Sequence, residues 1–80
     1  MIWTFDLLGD RDLTPAELDL MDTIPAIYEG DITPEYGGGR PVTFHCDLTA
    51  DSFDVAVRDA SAVMRRLGVE PVRVPVTQSV

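Results

Sequence analysis

The chain has no lysine. Its six basic residues are all arginine, set against fourteen aspartates and glutamates, for a net charge of −8. That shortage of cations argues against unaided binding to nucleic acid or to an anionic membrane, because each phosphate contact needs a positive partner. The absence of lysine itself is what a GC-rich genome would supply. One cysteine, Cys46, rules out an internal disulfide and fits a reducing compartment. No apolar run approaches the roughly 20 residues that cross a bilayer. The N-terminus lacks the basic stretch and apolar core of a signal peptide. These absences lead us to expect a cytoplasmic protein without a membrane partner.

What is present is an uneven distribution of charge. Residues 1–36 hold nine carboxylates against Arg11 alone, whereas residues 37–80 balance five acids with five arginines. Such asymmetry speaks to partners and solubility, not to fold. Eighty residues make one small domain, expected over 1–76 with a flexible tail at 77–80, and 45% apolar content is enough for a core.

Periodicity divides the chain into six elements. Residues 2–8 alternate, with Trp3, Phe5 and Leu7 on one side and Ile2, Thr4 and Asp6 on the other, as in a half-buried strand. A helix start follows: Thr14 as N-cap, Pro15 in the first turn, Glu17 closing a capping box, and Leu13 and Leu18 as a hydrophobic staple. Leu18, Met21 and Tyr28 would share a face, with Leu20, Ile24 and Ile27 beside it. Pro25 breaks this helix near Thr23, so the spacing predicts a broken helix from 15 to about 28; a shorter helix followed by an early strand is the competing reading. Residues 31–36 read as a weak edge strand around Pro34, and Gly37–Gly39 as a turn. Val42, Phe44, Cys46 and Leu48 alternate with Thr43, His45 and Asp47 in the clearest strand. Residues 52–67 form the clearest helix: Phe53, Ala56, Val57, Ala60, Val63, Met64 and Leu67 make one apolar stripe. Thr49 or Asp51 caps it and Gly68 ends it. Val72, Val74 and Val76 form a last, proline-bearing strand.

The order β-α-β-β-α-β points to an α+β, ferredoxin-like two-layer sandwich: an antiparallel sheet of order 4-1-3-2 with both helices on one face. Phe53 and Val57 are expected to be the central helix contacts, so that Phe53→Ala would cost about 3–5 kcal/mol.

Few residues suggest chemistry. Cys46 and His45 are strand neighbours and point to opposite faces, which prevents a Cys–His nucleophilic pair. One Cys and one His are too few for a structural zinc site, so no metal, cofactor or catalytic residues are assigned and enzymatic activity is not expected. The sheet face away from the helices would gather Thr4, Asp6, Thr43, His45 and Asp47, with Arg73 from the last strand. There Asp6 or Asp47 would raise the pKa of His45. The same positions lack the aromatics with which RNA-recognition sheets stack bases. Gly37-Gly38-Gly39-Arg40 lacks the lysine and hydroxyl of a phosphate loop and precedes a strand, not a helix. On the first helix, Asp19, Asp22 and Glu29 follow at helical spacing and could form a row of carboxylates.

Residues 41–60 (PVTFHCDLTADSFDVAVRDA) and 67–74 (LGVEPVRV) resemble a small ferredoxin-like module of high-GC Gram-positive bacteria and their phages. There the module often precedes a helix-turn-helix or excisionase-like DNA-binding segment. The 80 residues contain no such segment. The resemblance therefore implies an accessory module, phage-encoded and regulatory, that contacts another protein or forms a homodimer; edge pairing through 31–36 would serve the latter. It implies no catalytic residues. The alternative from charge alone is an acidic inhibitor that mimics nucleic acid and fills a basic groove on another protein.

Overall fold

The computed structural model describes residues 1–72. The predicted strand beyond Val72, the 77–80 tail and Arg73 lie outside the described residues. The elements are β1 (Ile2–Gly9), α1 (Pro15–Leu20), a 3-10 turn (Met21–Thr23), α2 (Pro25–Tyr28), β2 (Ile32–Glu35), β3 (Thr43–Thr49), α3 (Phe53–Arg66) and β4 (Pro71–Val72). The four strands form one antiparallel sheet of order β2-β3-β1-β4, which is 4-1-3-2 counted from the other edge.

Alternation decides which side chains meet. β1 and β3 pair along their length, with Phe5 opposite Cys46, Leu7 opposite Phe44, and Ile32 of β2 on the far side of Cys46. All five are buried on one face, as the two-residue period requires. α3 and the residues from Leu18 to Ile27 pack against that face in a single core, an arrangement compatible with two layers. Burial of a large side chain such as Phe44 contributes roughly 1.5–3 kcal/mol each. Val42, predicted as the first strand residue, falls just before the ladder. It is nonetheless fully buried, accepting from the Gly9 N–H at 2.7 Å and donating to the Arg11 carbonyl at 3.1 Å.

The first helix begins as its sequence requires. Thr14 Oγ1 accepts the Glu17 N–H, and the Glu17 carboxylate accepts the Thr14 N–H. The break is sharper than a kink. After α1 the chain tightens into a 3-10 turn, then Ile24 turns extended (φ −107°, ψ 109°) and Pro25 starts α2 at a position where its missing N–H costs nothing. Ile24 is driven into the core by this bend. The predicted shared face is corrected accordingly: Leu20 and Tyr28 are exposed, because the break resets the helical phase.

α3 also departs in detail from the reading above. Its N-cap is Ser52, whose Oγ accepts the Val55 N–H, not Thr49 or Asp51. Thr49 is still in β3, paired with Ile2. The centre of the buried stripe is Ala56, Ala60 and Met64, while Phe53 and Val57 flank it half-buried. The two alanines present little bulk toward the sheet, and Phe53 and Val57 lie beside them. Phe53 covers the end of the core, edge-to-face on Phe5 and tilted against Trp3. Gly68 closes the helix at φ 90°, a conformation that costs glycine little.

Candidate interaction surface

The face of the sheet turned away from the helices carries Thr4 and Asp6 from β1, Thr33 and Glu35 from β2, and Thr43, His45 and Asp47 from β3. Register places Asp6 opposite His45 and Thr4 opposite Asp47, so the predicted grouping of these residues is present. His45 Nδ1 lies 2.8 Å from Asp6 Oδ1, and its Nε2 lies 3.2 Å from Glu35 Oε1. Asp47 does not reach the imidazole; it accepts a 2.6 Å hydrogen bond from Thr4 Oγ1. Hydrogen bonding to Asp6 raises the His45 pKa above its ordinary value, against a smaller opposing effect of burial, and Glu35 adds to the rise.

Glu35 is the member that sequence reasoning missed. The signal was available in the alternation of Ile32 and Pro34 with Thr33 and Glu35, although Pro34 made that strand hard to accept. The ends of this face are less polar, with exposed Ile2 at one and Leu8 beside Val72 at the other.

The face offers binding groups but not a reactive centre. Asp6 and Glu35 address opposite nitrogens of one ring and do not converge on a point. Among the described residues no set of three His, Cys, Asp or Glu side chains is placed to hold a metal ion. Cys46 points the other way, and burial pushes its thiol up to about 12, so no thiolate is available near neutral pH.

The carboxylates of the first helical region are arranged differently from the predicted row. Asp19, Asp22 and Glu29 are all exposed, but they sit in α1, in the 3-10 turn and just after α2. The bend at Ile24 destroys the common helical spacing. Two flanking acids have structural roles. Glu17 forms a two-pronged pair with Arg11 (2.7 and 2.5 Å) that holds its carboxyl down at about 2. Arg11 also donates to the Gly68 carbonyl at 2.6 Å, tying the first helix to the end of α3.

Asp12 accepts the N–H groups of Leu13, Gly37 and Gly39 at 2.8, 3.0 and 3.1 Å, with the Gly37 bond contributing most to its lowered pKa. The triglycine segment, at φ 113°, 70° and 73°, is the β2–β3 turn, as predicted. Its amides do cradle an anion, and that anion is the chain's own Asp12. Beside this turn Glu35, Tyr36, Gly37, Arg40, Pro41 and Thr43 border an open hollow of about 150 Å³.

β2 is an edge strand whose outward side is poor in donors. The Asp47 N–H donates to the Asp31 carbonyl at 2.8 Å. By alternation, Thr33 and Glu35 also direct their backbone groups to β3, whereas Ile32 and Pro34 direct theirs outward. Pro34 has no N–H to offer. Among the described residues no helix is long and apolar enough to cross a membrane. No protein-family model, curated protein or solved structure matches this chain.

Proposed function

We propose that this chain is a non-enzymatic interaction module that docks a basic protein surface on the open face of its sheet. The observation that carries this reading is the exposed set of carboxylates Asp6, Glu35 and Asp47 around His45 on a face that no helix among the described residues covers. The apolar ends at Ile2 and at Leu8–Val72 supply contact area beside the charged centre. Charge steers such encounters and makes them weaken with salt. The strand order and the packing of helices on one face support a ferredoxin-like fold. The residue pattern of 41–60 and 67–74 adds the proposed kinship with bacterial and phage accessory modules, and with it a regulatory role beside a DNA-binding partner.

A basic partner fits better than a second copy. Two copies meeting on this face would oppose like carboxylates, each from a chain of net charge −8. Homodimerisation by continuing the sheet at β2 would lack the donor that Pro34 cannot supply. The acidic-inhibitor reading keeps one observation in its favour, the exposure of Asp19, Asp22 and Glu29.

One experiment separates these. The wild-type protein, the sheet variant Asp6→Asn/Glu35→Gln/Asp47→Asn and the helix variant Asp19→Asn/Asp22→Asn/Glu29→Gln are used as baits in extracts of the source cell. The docking reading requires a basic protein retained by wild type and the helix variant and lost by the sheet variant. Loss with the helix variant alone supports the inhibitor reading instead. Retention by both variants refutes both readings.

A further inference from the structure

Both ring nitrogens of His45 face carboxylate oxygens, Asp6 at 2.8 Å and Glu35 at 3.2 Å. Neutral imidazole carries one N–H; its other nitrogen would turn a lone pair toward an anion. Only the imidazolium donates to both. The acceptors stand on different strands, Asp6 on β1 and Glu35 on the edge strand β2, with His45 between them on β3.

We propose that His45 is a proton-operated clasp that holds the end of edge strand β2 against the middle of the sheet. The groups that face it are Asp6 from β1, Glu35 from β2 and, two residues along its own strand, Asp47, which is occupied by Thr4. Arg40 borders the same hollow as Glu35. When the proton leaves, one of the two contacts becomes a repulsion. The Glu35 contact is longer and its side chain is 72% exposed, so Glu35 is the partner released.

The moving part is bounded on both sides. Ile32 is 1% exposed and anchors the start of the strand in the core, while Asp12 holds Gly37. Release therefore concerns Thr33–Tyr36 and changes the wall of the hollow that Glu35 and Tyr36 share with Arg40 and Thr43. The clasp is a property of the free protein and stands whether or not the face docks a partner.

The test is amide hydrogen exchange by NMR on the full chain, expressed as protection factors, from about pH 5 to about pH 9 around the ordinary histidine value. The ring nitrogens of His45 are followed in the same samples. Protection at Thr33 and Glu35 is expected to fall about two- to five-fold through the His45 midpoint, the range of an exposed ion pair, while Phe5 and Phe44 stay constant. The step should vanish in His45→Gln and in Glu35→Gln, although the ring still titrates in the latter. Flat β2 protection through the wild-type midpoint, or a step that survives in His45→Gln, would overturn the clasp.

Discussion

The rings of Phe5 on β1 and Phe53 on α3 meet edge to face, with centroids 5.3 Å apart and planes at 80°. This contact, with the tilted approach of Phe53 to Trp3 at 5.7 Å, seals the end of the core where α3 begins. Phe53 is only half-buried. Phe53→Ala should therefore cost about 2 kcal/mol, below the roughly 3–5 kcal/mol of a fully enclosed aromatic. Denaturant unfolding of the variant beside wild type measures it.

Gly9 is constrained by space. A Cβ there would lie 2.6 Å from Cγ1 of both Val42 and Val69, two β-branched side chains that cannot swing away. Gly9→Ala should lose about 1–3 kcal/mol, as overpacked sites do. A shift in denaturation midpoint without a change in slope is the expected signature.

Stability should fall at acid pH through Glu17. Its folded pKa is depressed to about 2 from 4.5, so its contribution is complete above the unfolded value and drains away as pH drops toward about 2. Asp12, lowered by the Gly37 amide, acts in the same direction. Glu17→Gln should flatten this acid limb in thermal melts. Thr14→Ala, which removes the cap and the smallest of the contacts that lower the Glu17 pKa, should cost about 1 kcal/mol and leave most of the pH dependence in place.

His45 works with the opposite sign. Its folded pKa lies above 6.5, so its contribution is full below that value and disappears as pH rises through the folded pKa. The side chain is 44% exposed, which limits the effect to about 1 kcal/mol or less. Glu17 and His45 together should give a plateau between about pH 5 and 6.5, falling on both sides. Asp6→Asn should lower the His45 midpoint more than Glu35→Gln, because Asp6 is its stronger partner.

The legible parts of this fold were those where local chemistry and tertiary packing agree. Thr14, Pro15 and Glu17 specify a helix start with no outside help, and the alternation from Phe44 to Leu48 needs only one buried face. Less legible were features decided by distant residues. The stripe of α3 allows either Phe53 and Val57 or its alanines to sit centrally, and packing against the sheet buries Ala56 and Ala60 completely. Ser52 became the cap because pairing with Ile2 keeps Thr49 in β3. Glu35 joined His45 through a strand whose proline concealed it, and the acidic row was lost when Ile24 turned into the core. The grip of Asp12 on the triglycine turn joins residues 25 and 27 positions apart, which no local pattern announces.

The most direct measurement of the docking claim is an amide shift map of the ¹⁵N-labelled protein titrated with the basic protein retained in the bait experiment. Perturbations are expected at Thr4, Asp6, Thr33, Glu35, His45 and Asp47 that fade as salt is added, with Asp19, Asp22 and Glu29 unmoved. Perturbations confined to α1, the 3-10 turn and α2, with a silent sheet face, would contradict the docking claim.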